Sequence, residues 1–186
     1  MGETPWRPTR AQLEAAWSGS VPDVLADDLD VVFVGINPGL YSAAVAHHFA
    51  RPGNRFWKAL HRSGFTSREW SPFDDGDLVT VGIGIANMVD RPTATAAELT
   101  SAELRAGRAT LESKIARTRP RTVAVLGITA YRSSFGRRHA ALGPQDGDIA
   151  GIPVWVLPNP SGLNAHHQID DLVRRFGALR AAVGVR

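Results

Sequence analysis

The side chains best suited to chemistry are three polar ones, each of which follows a short apolar run. Asn37, Asp90 and Asn159 each lie within two residues of a proline. An amide both donates and accepts hydrogen bonds, so it can hold a water molecule or bind a carbonyl group. A carboxylate can in addition take a proton from water. The alternative is that these residues only form turns, because Asn-Pro-Gly and Asp-Arg-Pro sequences favour turns.

The apolar runs before these residues predict buried β-strands. Their β-branched residues are nearly continuous rather than alternating, which is typical of strands covered on both faces. Helical patterns lie between the runs; Asn54 fits an N-cap, and Thr100 and Glu103 have the spacing of a capping box. Strands that alternate with helices imply a mainly parallel α/β sheet. The predicted strands are 31–34, 79–85, 122–126 and 154–157, and the predicted helices are 10–17, 56–62, 97–117, 128–135 and 169–183.

The sequence has the organisation of one domain. It contains no internal repeat and no low-complexity linker. Segments 71–77 and 143–151 are rich in turn-forming residues and predict surface loops. We therefore expect a single catalytic domain over residues 1–186, in which residues 1–28 form an N-terminal helical extension.

The ends of three predicted strands carry unusual loops. They are 35–39 after the first strand, 87–92 after the second and 158–164 after the last. Gly35 and Gly39 permit tight backbone angles, so the first loop can aim N–H groups and its amide side chain at one ligand. Since ligands of parallel sheets gather beyond the carboxyl ends of the strands, we expect the chemistry at this edge.

Composition excludes several classes of protein. The 186-residue chain has no cysteine, which excludes a disulfide scaffold, thiolate metal sites and cysteine catalysis. The first ten residues lack the apolar run of a signal peptide, and no apolar run is long enough to span a membrane. The formal net charge is +3, and lysine occurs only at Lys58 and Lys114, so nearly all the cationic charge is arginine. Arginine suits phosphate contacts because its guanidinium group can bind bidentately, although many basic proteins never contact nucleic acid.

Several motifs in matching order resemble one family of DNA-repair enzymes. The motifs lie at 35–40, 51–57, 90–93, 126–127 and 159–164. They strongly resemble those of the mismatch-specific uracil-DNA glycosylases, which include bacterial mismatch-uracil enzymes and thymine-DNA glycosylase. The resemblance runs from about residue 31 to residue 172. It implies the uracil-glycosylase α/β fold, with a central four-stranded sheet flanked by helices and no cofactor.

The resemblance implies hydrolysis of an N-glycosidic bond after the base has been flipped out of the duplex. Asn37 matches the family's catalytic asparagine, which positions the water. The most active uracil-DNA glycosylases have aspartate there, and a histidine in the motif that contains Asn159, which we place in the base pocket; this chain has neither. We expect modest turnover unless a carboxylate helps, and Asp90 is the best candidate because it follows the second strand. The open alternative is that Asp90 caps a turn or pairs with Arg91.

The resemblance also assigns residues to the pocket for the flipped base. Gly39 and Leu40 would border this pocket through their backbone, and His48 would line it. Phe49 matches the aromatic residue that stacks on the base; the alternative is an ordinary core phenylalanine. Ser42 lies where the pocket meets the 5-position of the pyrimidine, so its side chain should crowd the methyl group of thymine and favour uracil.

The last motif matches the residues that enter the duplex. Gly162, Leu163 and Asn164 would fill the space that the base leaves, with Leu163 as the wedge. Asn164 and the nearby backbone would meet the opposing guanine. The alternative is that Leu163 belongs to the core at the start of the last helix.

Two pairs of adjacent histidines suggest a metal site, which we do not predict. Neighbouring histidines rarely reach the same ion, and no acidic ligand has matching spacing near 47–48 or 166–167. Asn87 stands where some relatives carry a lysine, so any contact made by that lysine is absent.

We therefore expect a monofunctional, mismatch-specific glycosylase that removes uracil opposite guanine from double-stranded DNA and leaves an abasic site, with related damaged pyrimidines as further candidate bases. Duplex DNA would be the partner, without a membrane, and the enzyme would be a monomer in the bacterial cytoplasm at the nucleoid. The competing class is a non-catalytic nucleotide- or DNA-binding α/β module. Such a module would explain the basic charge and the strand-end loops, but not the joint presence of Asn37, Phe49 and Leu163.

Overall fold

A five-stranded sheet forms the centre of the fold in the computed structural model, which describes residues 7–184. Its strands are β1 (Val31–Gly35), β2 (Ile83–Asn87), β3 (Val123–Leu126), β4 (Gly143–Ile149) and β5 (Ile152–Leu157). They lie in the order β2-β1-β3-β5-β4. The strands β2, β1, β3 and β5 are parallel, and β4 pairs antiparallel with β5. This arrangement confirms the predicted α/β fold with a mostly parallel sheet.

Helices cover both faces of this sheet. Within residues 7–184 they are α1 (Arg10–Ala15), α2 (Leu40–Val45), α3 (Phe56–Arg62), α4 (Ser101–Thr118), α5 (Ile128–Phe135) and α6 (Ile169–Val183). The bounds of α3, α5 and α6 are those predicted. Short 3₁₀ stretches span Ala16–Ser18, Pro72–Val81 and Ala96–Glu98. None of these helices is long and apolar enough to cross a membrane.

The core has two halves because successive side chains of β1 point to opposite faces. Phe33 belongs to the cluster beneath α3 and α6, where its ring centroid lies 5.4 Å from that of Phe56 and 5.5 Å from that of Phe176. Val32 and Val34 belong to the other cluster, beneath α4 and α5. Burial on both faces explains why the predicted strands are continuously apolar.

The predicted number of strands is wrong, because the expected loop 143–151 contains β4. Exposure alternates along this edge strand, and only Ile149 is fully buried. Backbone hydrogen bonds to β5 hold it in the sheet, and such bonds do not require apolar side chains. Its polar, glycine-containing composition therefore gave no strand signal.

The second strand begins and ends later than predicted. Val79 and Val81 belong to the 3₁₀ stretch Pro72–Val81, which also replaces most of the loop expected at 71–77. Gly82 has a φ of 75° and separates this stretch from β2. As a result the strand extends to Asn87, which lies at its carboxyl end.

Three helical segments differ from the prediction. The Thr100 and Glu103 capping box forms, but it starts α4 instead of lying inside it. Helix α2 was not expected, and it starts directly after Gly39. The N-terminal extension is helical only at 10–18 within the described part of residues 1–28, and residues 1–6 and 185–186 of the expected domain lie outside the described chain.

Candidate active site

A cavity of about 670 Å³ opens at the carboxyl edge of the parallel strands. Gly35 and Asn87, the last residues of β1 and β2, both line it. Gly127 after β3 and Asn159 after β5 line it from the other side. The structure thus brings the three predicted strand-end loops together around one space.

Asn37 lies in this cavity with its amide held in one orientation. Nδ2 donates to the carbonyl oxygen of Arg91 at 2.9 Å, to Thr93 Oγ1 at 2.7 Å and, more weakly, to the carbonyl oxygen of Pro38 at 3.3 Å. Since carbonyl oxygens only accept hydrogen bonds, the nitrogen must be the atom that faces them. No described residue donates to Oδ1, so Asn37 presents a free acceptor in the cavity.

The loop of Asn37 is fixed by a backbone bridge to the loop that follows β2. Thr93 N–H donates to the carbonyl oxygen of Pro38 at 3.1 Å, and Leu40 N–H donates to that of Thr93 at 3.2 Å. Gly39 pairs with Thr93 in this bridge and lines the cavity. Leu40, which was expected to border the pocket through its backbone, does not line the cavity. Its N–H group is bonded to Thr93 in the bridge, and Leu40 is the first residue of α2.

Phe49 forms an aromatic wall of the cavity. Its ring stacks on Phe56 with a centroid distance of 4.2 Å and an interplanar angle of 28°. Phe49 is only half-buried and lines the cavity, so it lies at the border of the core rather than within it. Its φ of 52° is rare for a bulky residue. This backbone conformation places the ring beside Gly35, where a Cβ atom would lie 3.4 Å from two of its carbons.

Ser42 and His48 line the cavity next to this ring. Ser42 Oγ accepts the N–H of Ala50 at 3.0 Å, which fixes the hydroxyl group beside the pocket. His48 is buried, and its Nε2 lies 2.9 Å from the carbonyl oxygen of Pro22. That carbonyl must accept, so Nε2 carries the hydrogen and Nδ1 is left as an acceptor.

Burial lowers the pKa of His48 below its ordinary value of 6.5. The hydrogen bond to Pro22 and the charge of Asp75 act in the opposite direction but do not outweigh burial. His48 is therefore neutral at physiological pH. No group of three His, Cys, Asp or Glu side chains within residues 7–184 could hold a metal ion.

Asn159 presents the complementary half of an amide to the same cavity. Its Oδ1 accepts the N–H of Ser161 at 2.9 Å, so the carbonyl half is used within its own loop. No described residue accepts from its Nδ2. The cavity therefore contains a free acceptor from Asn37 and a free donor from Asn159.

Leu163 projects from the rim of the cavity, with 64% of its surface exposed. It lies six residues before α6 begins at Ile169, which rules out the alternative of a core residue in that helix. Gly162 precedes it in close contact with Gly53, whose carbonyl oxygen would lie 2.6 Å from a Cβ atom at position 162.

The amide of Asn164 is largely used inside the same loop. Nδ2 donates to the carbonyl oxygen of Asn159 at 2.9 Å, and Oδ1 accepts the N–H of His166 at 3.2 Å. One amide hydrogen remains for any contact beyond the protein, because an asparagine amide has two.

Asp90 is the predicted catalytic residue that the structure does not bring to the cavity. Its carboxylate lies 3.4 Å from Lys114 Nζ and is 65% exposed. Lys114 also pairs with Asp23 at 2.6 Å. Asp90 therefore fits the alternative of a paired turn residue, with Lys114 in place of the expected Arg91, and its carboxylate is not placed to orient a water in the cavity.

Asn87 is a site residue that the sequence interpretation missed. It is 4% exposed, lines the cavity and makes no side-chain hydrogen bond to any described residue. Its Oδ1 lies over Gly35, so close that a Cβ atom there would be 2.7 Å away. Its amide is therefore available for hydrogen bonds to a ligand in the cavity. The available signal was a polar residue directly after the apolar run that ends at Ala86.

Comparisons with known proteins agree with this geometry. The family model described as "Uracil DNA glycosylase superfamily" matches residues 22–180, which is most of the chain. A solution NMR structure from Methanosarcina acetivorans, described as a "putative Uracil DNA glycosylase", has a TM-score of 0.59 and 19% sequence identity to this chain. The alignment covers 88% of this chain and 96% of that one. At this identity the likeness shows a shared fold.

Proposed function

The chain belongs to the uracil DNA glycosylase superfamily, and we propose that it removes uracil mispaired with guanine from double-stranded DNA. The observation that carries this proposal is the pair of amides in the cavity, where Asn37 offers a free acceptor and Asn159 a free donor, and which Phe49 also lines. Family membership supports a glycosylase that acts on DNA. The preference for uracil opposite guanine is our inference from the residues around the cavity.

The two amides suit the two ends of the breaking bond. Cleavage between C1′ and the base nitrogen leaves positive charge on the sugar and negative charge on the departing base. Asn37 Oδ1 would accept a hydrogen bond from water and direct the water oxygen toward C1′. Asn159 Nδ2 would donate to a carbonyl oxygen of the departing base and stabilise its negative charge. The water supplies the new C–O bond, the electron pair of the old bond leaves with the base, and the proton of the water passes to solvent.

The wall and floor of the cavity suit a flat pyrimidine. Stacking on Phe49 would contribute about 1–3 kcal/mol. The unpartnered amide of Asn87 can donate to one base carbonyl and accept from the ring N–H, a pattern that uracil offers and cytosine does not. Ser42 would exclude the methyl group of thymine, and His48 can accept a hydrogen bond through Nδ1.

The rim suits extrusion of the base from a duplex. Leu163 would fill the space vacated by the base, as apolar wedges do in other proteins that distort DNA. Gly162 and the remaining amide hydrogen of Asn164 would lie against the opposite strand. Extrusion costs less at a mismatch than at a paired base. Since no carboxylate among residues 7–184 lines the cavity to speed the chemistry, the ease of extrusion would decide which uracils are removed.

The lysines support a monofunctional reaction. The chain has only Lys58 and Lys114, and neither lines the cavity. Lysine-based glycosylases form a Schiff base with the sugar and then cut the strand, which requires an amine at the site. With water as the nucleophile, the product would be an intact strand with an abasic site.

The test is release of uracil from a duplex with one G:U pair, with a G:C duplex as control. We expect uracil release and strand breakage only after alkali treatment, because the product is an abasic site. Tight binding of the duplex without any release at stoichiometric enzyme would instead support the non-catalytic DNA-binding module. Strand breakage without alkali would contradict the monofunctional reaction.

A further inference from the structure

Almost the whole guanidinium group of Arg55 is hydrogen-bonded to the loop that contains Leu163. Nη2 donates to the carbonyl oxygens of Ser161 at 2.5 Å and Asn164 at 2.9 Å. Nη1 donates to that of His167 at 2.5 Å, and Nε makes a longer contact of 3.4 Å to that of Pro160. A guanidinium group has five N–H donors, so this one side chain can bind loop carbonyls on both sides of Leu163 in the sequence.

These bonds do not serve α3, which begins directly after Arg55. The first free N–H of α3, that of Phe56, is capped by Asn54 Oδ1 at 2.9 Å. The buried residues of α3 are apolar and pack into the core. Arg55 also makes no ion pair with a described carboxylate, so its charge is directed to the loop carbonyls alone. Hydrogen bonds from a charged donor are shorter and stronger than those between neutral groups.

The backbone beside Arg55 supports the same loop. Arg55 N–H donates to the carbonyl oxygen of Pro160 at 3.0 Å. Gly53 has a φ of 85° and contacts Gly162 so closely that no side chain would fit at position 162. Segment 53–55 therefore forms a platform under the loop, with Arg55 as its only side-chain donor to those carbonyls among the described residues.

We propose that Arg55 is a positioning residue that holds Leu163 ready for insertion before DNA binds. The role rests on the proposed function, because it requires a duplex to enter. Leu163 is 64% exposed and has little packing of its own to fix it. Without the guanidinium group these loop carbonyls would bond to water, and the loop would be held only by its internal hydrogen bonds and by the backbone bond from Arg55 N–H to Pro160, so that it would be less ordered. Ordering it again at insertion would cost free energy, which a preformed loop avoids.

The proposal is tested by Arg55→Met with G:U duplex and single-stranded uracil substrates. Single-turnover excision should fall at least about tenfold on the duplex, which is the size of one hydrogen bond to a charged group. On the single strand, where little extrusion is needed, the rate should stay within about threefold. Arg55→Lys should recover little of the duplex rate, because one ammonium group cannot reach carbonyls spread around the loop.

Arg62→Met is the matched control. Arg62 is the last residue of α3, whose N-cap is Arg55, and it pairs with Asp170 at 2.8 Å but does not contact the loop carbonyls. Its removal should leave the ratio of duplex to single-strand rates unchanged. An equal loss on both substrates by Arg55→Met, or a duplex rate like that of the parent, would overturn the proposal.

A double variant shows whether Arg55 acts through Leu163. If it does, Arg55→Met with Leu163→Ala should be about as slow on the duplex as the slower single variant, because coupled residues are not additive. Rate losses that multiply independently would contradict the role.

Hydrogen exchange tests the role without an activity assay. Arg55→Met, or Arg55→Lys if the first variant fails to fold, should speed exchange of the backbone amides of Leu163 and Asn164. Unchanged exchange would refute positioning, whereas a parent that orders this loop but releases no uracil would refute the proposed function.

Discussion

Asn37 Nδ2 and Thr93 Oγ1 lie 2.7 Å apart, although 56 residues separate them in the chain. Thr93 is 1% exposed, and the backbone bridge to Pro38 and Leu40 fixes its position. The bond anchors one half of the Asn37 amide, and the carbonyl oxygens of Arg91 and Pro38, which can only accept, define that half as the nitrogen. Because the nitrogen is held, the oxygen is presented to whatever occupies the space.

The first prediction is that Asn37→Ala impairs chemistry more than binding. Single-turnover excision of uracil from a G:U duplex should fall at least about tenfold, the low end for a well-placed polar group. The affinity for a duplex that contains an abasic site should change little, since no base occupies the cavity in that complex. Quench-flow or gel assays of excision and a titration of the abasic duplex measure the two effects.

Thr93→Val is the companion to this variant, because it keeps the shape of the side chain and removes the acceptor. The amide of Asn37 retains the carbonyl oxygens of Arg91 and Pro38, so we expect a smaller loss than in Asn37→Ala. Parent-like excision by Asn37→Ala would remove this amide from the mechanism.

Asn37 and Leu163 could be placed from the sequence because each belongs to a short motif after a predicted strand, whereas the role of Phe49 came from the family resemblance. The carboxyl edges of parallel strands meet, so assigning the strands was enough to bring those loops together. Exposure of Leu163 followed from the turn residues before it, and the structure agrees with 64% exposure.

Asn87 and Asp90 show what local patterns do not determine. Both follow the second apolar run, and their placement depends on where β2 ends. The strand continues to Asn87, which turns that amide into the cavity and leaves Asp90 three residues farther on, beside Lys114. Strand β4 was missed for a related reason, since edge pairing depends on backbone contacts with β5 rather than on its own side chains.

The second prediction is that Asn87→Ala weakens recognition of the base. The buried amide has no described partner and can bond to the polar edge of uracil. A site that loses a specific hydrogen-bonding group loses discrimination as well as rate. We expect at least about a tenfold lower kcat/KM for uracil, the size of one such bond in a buried site. Thermal stability should change little, since the amide makes no hydrogen bond to a described residue; a parent-like kcat/KM would exclude Asn87 from recognition.

The third prediction concerns the choice between uracil and thymine. Ser42→Ala removes the hydroxyl group beside the pocket, so the ratio of G:T to G:U excision rates should rise by several-fold, about the effect of one methyl group in a pocket. The variant also loses the bond to Ala50 N–H, which should lower stability by about 1 kcal/mol. Because both rates are measured with the same folded fraction of the enzyme, their ratio reports specificity and not stability. A ratio equal to that of the parent would contradict the placement of Ser42 at the 5-position.

The fourth prediction follows from the lowered pKa of His48. The unfolded chain binds a proton near pH 6.5, whereas the folded protein does so only at lower pH. Folded stability contributed by His48 is therefore complete above pH 6.5 and is lost as the pH falls through that value toward the lowered pKa. Melting temperatures of the parent and His48→Gln between pH 7.5 and pH 5 should show the larger decrease in the parent. Parallel curves would show that His48 titrates alike in both states.

The last prediction is that Asp90→Asn leaves excision within about twofold of the parent, below what general-base help contributes. The carboxylate is 65% exposed and faces Lys114 at 3.4 Å outside the cavity, and exposed pairs of this kind contribute only about 0–1 kcal/mol. Asp23→Asn is the matched control, because Asp23 pairs with the same lysine at 2.6 Å and is 20% exposed. It should lower the melting temperature more than Asp90→Asn does, again without a change in chemistry. A loss of tenfold or more by Asp90→Asn, measured where circular dichroism shows a fully folded protein, would mean that the loop after β2 rearranges on DNA. Asp90 would then accept the proton of the attacking water, which the amide of Asn37 cannot do.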